Sequence, residues 1–175
     1  IAFSRGMILV TSAGNSGNSS DPHIAVPADA VSVLSIGAVT ASEIITSFSS
    51  TGPSFDGRIK PDVMAQGQAA VVSDAAGNIV TANGTSFSGP IIAGMVACLW
   101  QVFPQKTNQE IRALILQSSD KFLVPNNQYG YGIPDFGLAV SNGLASTSLS
   151  KDDCIIYPNP ASEFVSFYLP AKLEM

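Results

Sequence analysis

Charge is scarce in this sequence. Asp, Glu, Lys and Arg make up 12% of its 175 residues, and 8 basic against 13 acidic side chains give a formal charge of -5. With no basic patch to neutralise phosphates, nucleic acid is not an expected partner. Cysteine is nearly missing: Cys98 falls in an apolar segment and Cys154 lies beyond a polar stretch, so no disulfide is expected and neither has metal-site spacing. No unbroken apolar run reaches the roughly 20 residues that cross a bilayer. The longest, Phe87 to Phe103, is interrupted by Ser88, Gly89 and Pro90 and is expected to be a buried helix, not a membrane segment. The start carries no charged region followed by an apolar one, and it opens on Ile1, so the sequence is expected to be a piece of a longer protein.

What is abundant points to an ordinary globular class. Hydrophobic residues reach 46%, with 15 Gly and 11 Pro, the profile of a loop-rich α/β protein of one-domain size. A sparsely charged acidic surface also suits an extracellular protein.

The chain is organised around Asn83-Gly84-Thr85-Ser86-Phe87-Ser88-Gly89-Pro90, a small-residue turn running into the apolar segment Ile91 to Phe103. Ser86 would stand at or just before a first helical turn. Unpaired N–H groups and the positive end of the helix dipole favour negative charge there, so an oxyanion forming beside Ser86 would be stabilised. Gly84 permits a tight turn, Thr85 and Ser86 are capping types, and Pro90 is tolerable in an opening turn. The other reading of these residues is an ordinary capped core helix. The Gly-x-Ser-x-Gly elbow of α/β-hydrolases is excluded, because Ser88 stands two residues after Ser86.

Upstream, Gly6 to Thr11 reads as a buried parallel strand that ends in Ser12-Ala13-Gly14-Asn15-Ser16-Gly17, at the edge where open α/β sheets bind ligands. By itself Asn15 is equally a turn asparagine. Val31 to Val39 alternates and is rich in β-branched residues, a further strand. Val71-Val72-Ser73 and Asn78 to Thr81 flank Asp74-Ala75-Ala76-Gly77, a hairpin. Thr107-Asn108-Gln109-Glu110 is a capping box opening an amphipathic helix that ends near Ser119.

Gly84-Thr85-Ser86-Phe87-Ser88-Gly89-Pro90 resembles the nucleophile motif of the subtilisin-like serine peptidases, with Phe87 where Met is usual. Ala13-Gly14-Asn15-Ser16-Gly17 resembles the family's oxyanion segment, Pro27-Ala28 with the strand after it a further signature, and Phe48-Ser49 to Gly52 and Lys60-Pro61-Asp62 to Gly67 two more. Tyr129-Gly130-Tyr131-Gly132 to Asp135, followed by a last apolar helix, is similar to its closing segment. The resemblance spans about residues 6 to 140. It implies a subtilisin-like three-layer α/β sandwich with a mostly parallel sheet, here in part. It also implies that Ser86 is the nucleophile, that Asn15 donates to the oxyanion together with the Ser86 N–H, and that Gly84 and Thr85 shape that loop. Thr11, Ser12, Ala13 and Gly14 would wall the substrate pocket.

In the family the chain order is Asp, His, oxyanion Asn, Ser. His23 follows Asn15 and is therefore expected to be a loop or wall residue, not the base; Asp62 is expected to accept backbone N–H bonds in its turn. The catalytic Asp and His would lie upstream, leaving these residues alone inactive. No metal or other cofactor is called for; the family often carries structural calcium, but no ligand cluster here matches a site.

Composition shifts at Ser141. Residues 141–152 read as a linker after a peptidase portion at 1–140. In 153–175, Tyr157-Pro158-Asn159-Pro160 followed by strand alternation resembles the opening of the sorting domain used in type IX secretion by Bacteroidetes, a β-sandwich cut short. An ordinary β-module start is the alternative. The resemblances together imply a secreted or cell-surface serine endopeptidase, with protein or peptide substrates and the type IX machinery as partners. The rival is a non-catalytic adhesin or binding module on a decayed peptidase fold.

Overall fold

A computed structural model describes residues 1–145 and the backbone of 155–157 and 166–168. The chain divides into two units, Ile1–Asn142 and Gly143–Met175. The first unit is built on three parallel strands, β1 (Leu9–Ser12), β2 (Val33–Val39) and β3 (Val63–Gln66), in the order β1-β2-β3. β2 is central and all seven of its residues are buried, as a strand covered on both faces must be. Register sets Val10 opposite Leu34 and Ile36 opposite Val63, so these side chains share one face.

Against that face packs the core. Leu34, Ile36, Val63 and Ala65 meet Ile92, Val96 and Leu99 of α1 (Thr85–Val102) and Ile111, Leu114 and Ile115 of α2 (Asn108–Gln117). Each such side chain, fully buried, contributes roughly 1.5–3 kcal/mol. Ala139 of α3 (Phe136–Ala145) completes the cluster. An antiparallel hairpin, β4 (Ala70–Ser73) with β5 (Ile79–Ala82), turns through Asp74–Gly77 and delivers the chain to Gly84. In the second unit Ile155–Tyr157 (β6) pairs antiparallel with Ser166–Tyr168 (β7); the expected turn at Pro158-Asn159-Pro160 lies outside the described residues.

The helix starts at Thr85, which puts Ser86 in its first turn as expected. Three expectations need correction. Pro90 lies inside the helix, past its opening turn. Neither Thr85 nor Ser86 caps it: the N-cap is Gly84 at φ 147°, with no side-chain cap bond. Nor is α1 buried on every side. It packs on β1, β2 and β3 through Ile92, Val96 and Leu99, while Ile91, Met95 and Val102 face outward, with 45%, 38% and 52% of their surface exposed. By length and composition α1 could cross a membrane, but its seat on three strands is that of a helix in an α/β core. α3 continues to Ala145, past the composition change at Ser141.

The capping box forms as read. The Glu110 N–H donates to Thr107 Oγ1 at 3.3 Å, and the Thr107 N–H donates to Glu110 Oε2 at 2.8 Å. The Thr107 N–H and hydroxyl, both donating to Oε2, hold the Glu110 carboxyl below its ordinary pKa. Thr107→Ala is expected to cost about 1 kcal/mol, read as a lower urea midpoint with unchanged slope.

Candidate active site

The site forms where the C-terminal tip of β1 meets the N-terminus of α1. β1 runs its last pairings, Thr11 to Ser35 and Ser12 to Ile36, and the Ala13 N–H still bonds the Ile36 carbonyl at 2.9 Å. The chain then turns at Gly14, φ 113°, where an added Cβ would meet Ser50 Oγ at 2.8 Å. Only glycine fits that backbone. The turn aims Asn15 at the start of α1.

Thr85 receives it. Its backbone N–H donates to Asn15 Oδ1 at 2.9 Å, and its hydroxyl donates to the same oxygen at 3.0 Å. The Gly14 N–H in turn donates to Thr85 Oγ1 at 3.3 Å. A backbone N–H can only donate, so this contact fixes which end of the amide is oxygen and turns Nδ2 the other way. No acceptor takes that Nδ2 among the described residues; an added Cβ on Gly84 would lie 3.4 Å from it. That is ordinary contact, and what reserves position 84 for glycine is its backbone, at φ 147°.

One residue on, Ser86 is exposed in the first turn of α1. Its backbone N–H is among the first N–H groups of the helix, which have no helical partner. Neither that group nor its hydroxyl has a bond to a described residue. The Asn15 amide is thus bonded to the residue beside Ser86, at the positive end of a helix of 18 residues.

The remaining pocket residues from the sequence sit close by, but their side chains are partly committed. Ser12 Oγ donates to the Thr85 carbonyl at 2.9 Å. Ala13 is 2% exposed, in a small buried cluster with Ile24 and Ala28. An open cavity of about 600 Å3 flanks Ser86 instead on the hairpin side, lined by Gln66, Ala70, Val71, Val72, Phe87, Pro90 and Ile91. The hairpin had signalled only a turn. No local pattern in it points to a cavity beside Ser86.

His23 is kept apart from this cluster. Its Nδ1 lies 2.8 Å from Asp21 Oδ1, a pair that holds the Asp21 carboxyl below its ordinary pKa, and both side chains are more than half exposed. His23 bridges to Thr51, and no bond joins it to Ser86 or Asn15. Among the described residues no group of three or more His, Cys, Asp or Glu could hold a metal ion.

Asp62 departs from its expected turn role. Its Oδ2 accepts from the Ser35 N–H at 2.8 Å, Ser35 Oγ at 3.0 Å and Lys60 Nζ at 2.6 Å, while Oδ1 takes Arg112 Nη2 at 2.6 Å. The backbone bond crosses to β2, and the rest is a buried ion pair, because Lys60 sits beside it on the chain and α2 brings Arg112 over it.

Residues 1–132 match the model of the subtilase family. This chain belongs to that family. It is 33% identical to the serine protease AprX of Bacillus subtilis (strain 168), over 75% of this chain and 34% of that one. It is 34% identical to subtilisin E of the same strain, over 75% and 33%. Among solved structures, the self-cleaved protease domain of PatA superposes with a TM-score of 0.66 at 27% identity, covering 81% of this chain and 52% of that one. The fold is therefore subtilisin-like α/β. This subtilase chain spans about a third of the length of those curated relatives and about half of the solved domain.

Proposed function

We propose that this subtilase chain is the nucleophile and oxyanion portion of a serine endopeptidase that cleaves peptide bonds through an acyl-enzyme. One observation carries the reading. A carboxamide with unclaimed N–H donors is bonded to the residue just before an exposed, unpartnered serine at a helix N-terminus.

In this reading Ser86 Oγ attacks the substrate carbonyl carbon and its proton passes to a histidine supplied upstream, which an aspartate orients. The carbonyl oxygen gains the electron pair. Asn15 Nδ2 and the Ser86 N–H receive it, stabilising charge that develops only in the transition state. When the tetrahedral adduct collapses, the C–N bond breaks and the amine leaves with the proton; water then repeats the sequence on the ester. The cavity lined by Val71, Val72, Phe87 and Ile91 offers the substrate an apolar wall beside the bond. Substrates are then proteins or peptides.

The complete protein is secreted or held at the cell surface, with 153–175 as the opening of a type IX sorting domain; the linker read at 141–152 has its first residues in α3, which runs to Ala145. The motif Tyr157-Pro158-Asn159-Pro160 supports that export route.

A fluorophosphonate probe is expected to label the complete protein and to fail on its Ser86→Ala variant. The present 175 residues alone are expected to hydrolyse peptides no faster than their own Ser86→Ala control, since among the described residues no base bonds Ser86 and His23 pairs with Asp21. Labelling that survives Ser86→Ala would sink the nucleophile assignment. Hydrolysis by these residues alone would place the base within them.

A further inference from the structure

Two hydroxyls converge on one carbonyl that the chemistry above does not use. Ser12 Oγ, at the end of β1, donates to the Thr85 carbonyl at 2.9 Å. Ser88 Oγ, fully buried one turn into α1, donates to the same oxygen at 3.0 Å. That carbonyl and the Ser86 N–H are the two ends of a single peptide unit. The unit is planar and stiff, so fixing the carbonyl direction fixes the N–H direction. Bonds accepted by a carbonyl also polarise the amide and strengthen its N–H as a donor.

The glycine at 89 belongs to the same device. A Cβ added there would lie 3.2 Å from Ser12 Oγ, tighter than ordinary contact, so the missing side chain leaves the room that the Ser12 hydroxyl occupies. Helix propensity alone would favour alanine at this position.

We propose that Ser12, with Ser88, is a positioning residue for the oxyanion site: its hydroxyl clamps the Thr85–Ser86 peptide plane so that the Ser86 N–H faces the developing charge. The β1 tip then sets both donors, Asn15 through Thr85 Oγ1 and N–H, and the Ser86 N–H through the Thr85 carbonyl. The proposal rests on the peptidase reading of Ser86.

In the complete protein, Ser12→Ala is expected to lower kcat roughly 3–10-fold, the worth of one hydrogen bond, with KM unchanged. Affinity for a peptide boronate, whose adduct is tetrahedral, should fall in parallel, while affinity for an uncleaved peptide analogue stays. Ser12→Thr, which keeps the hydroxyl, should restore kcat. Gly89→Ala should lower kcat while thermal stability holds or rises, which a merely structural contact would not do. A Ser12→Ala enzyme with wild-type kcat and boronate affinity overturns the proposal, as does an equal loss in boronate and substrate-analogue affinity. If the complete wild-type protein turns nothing over, the peptidase reading is what fails. The clamp is then read from the Ser86 amide signal in the nitrogen–proton spectrum of the present chain. That signal must shift in Ser12→Ala, and an unmoved one rejects the clamp.

Discussion

Asn15→Ala in the complete protein is expected to cut kcat about 10²–10³-fold and to leave KM close to its starting value. That magnitude is subtilisin's own, taken from removal of the same kind of donor in this family, and is not calculated from the present geometry. The geometry supplies the reason for the KM clause. Asn15 Nδ2 is held by two bonds on the far end of its own amide, to the Thr85 N–H and hydroxyl, and is fixed before any substrate arrives. A donor set in advance where charge will develop gains most from the oxyanion and little from the neutral carbonyl, so its loss falls on the transition state. Asn15→Asp makes the sharper comparison. It keeps the acceptor for Thr85, replaces the donor with a second carboxylate oxygen, and should be at least as damaging as alanine. Steady-state kinetics on both variants checks this. A matched rise in KM with kcat unchanged would mean that Asn15 binds substrate generally and has no special hold on the oxyanion.

Much of this site was legible because its parts are local. Gly84-Thr85-Ser86 and Ala13-Gly14-Asn15 are each short turns at the end of a regular element, and the residues that shape them are neighbours on the chain. The hairpin and the capping box were legible for the same reason. What escaped is what the tertiary fold joins. Ser12 and Thr85 are separated by 73 positions, and nothing at either end of that interval marks one as the partner of the other. The short strand β3 was hidden between Pro61 and Gly67, with too few residues to show a period. The bonds that tie the start of α1 to β1 escaped for the same reason, since Ser12 and Asn15 lie far along the chain from Thr85. The open outer face of α1 was equally invisible, since composition records how apolar a helix is and not what lies against it.

Asp62→Ala is expected to destabilise the chain by about 3–5 kcal/mol, a large share of the 5–15 kcal/mol typical of a domain. The cost comes less from the lost attraction than from what remains. Lys60 is 2% exposed, and its ammonium bonds only the Val33 carbonyl at 2.9 Å once Asp62 is gone. Burial already pulls the Lys60 pKa below its ordinary value, and Asp62 pulls it back up. Without that carboxylate the pKa drops further. A lysine whose folded pKa is depressed binds fewer protons folded than unfolded, so stability rises with pH between the folded value and the ordinary value of 10.5. The variant should therefore recover part of its loss as the pH is raised through the alkaline range, more steeply than the wild type. Arg112, 26% exposed, can turn to solvent and contributes less to the penalty. Replacing both members, Lys60→Met with Asp62→Leu, removes the stranded charge and should cost much less than Asp62→Ala alone. Urea unfolding at two pH values measures all of this. A loss below about 1 kcal/mol, flat with pH, would show that water reaches Lys60 and that its ammonium is not stranded without Asp62.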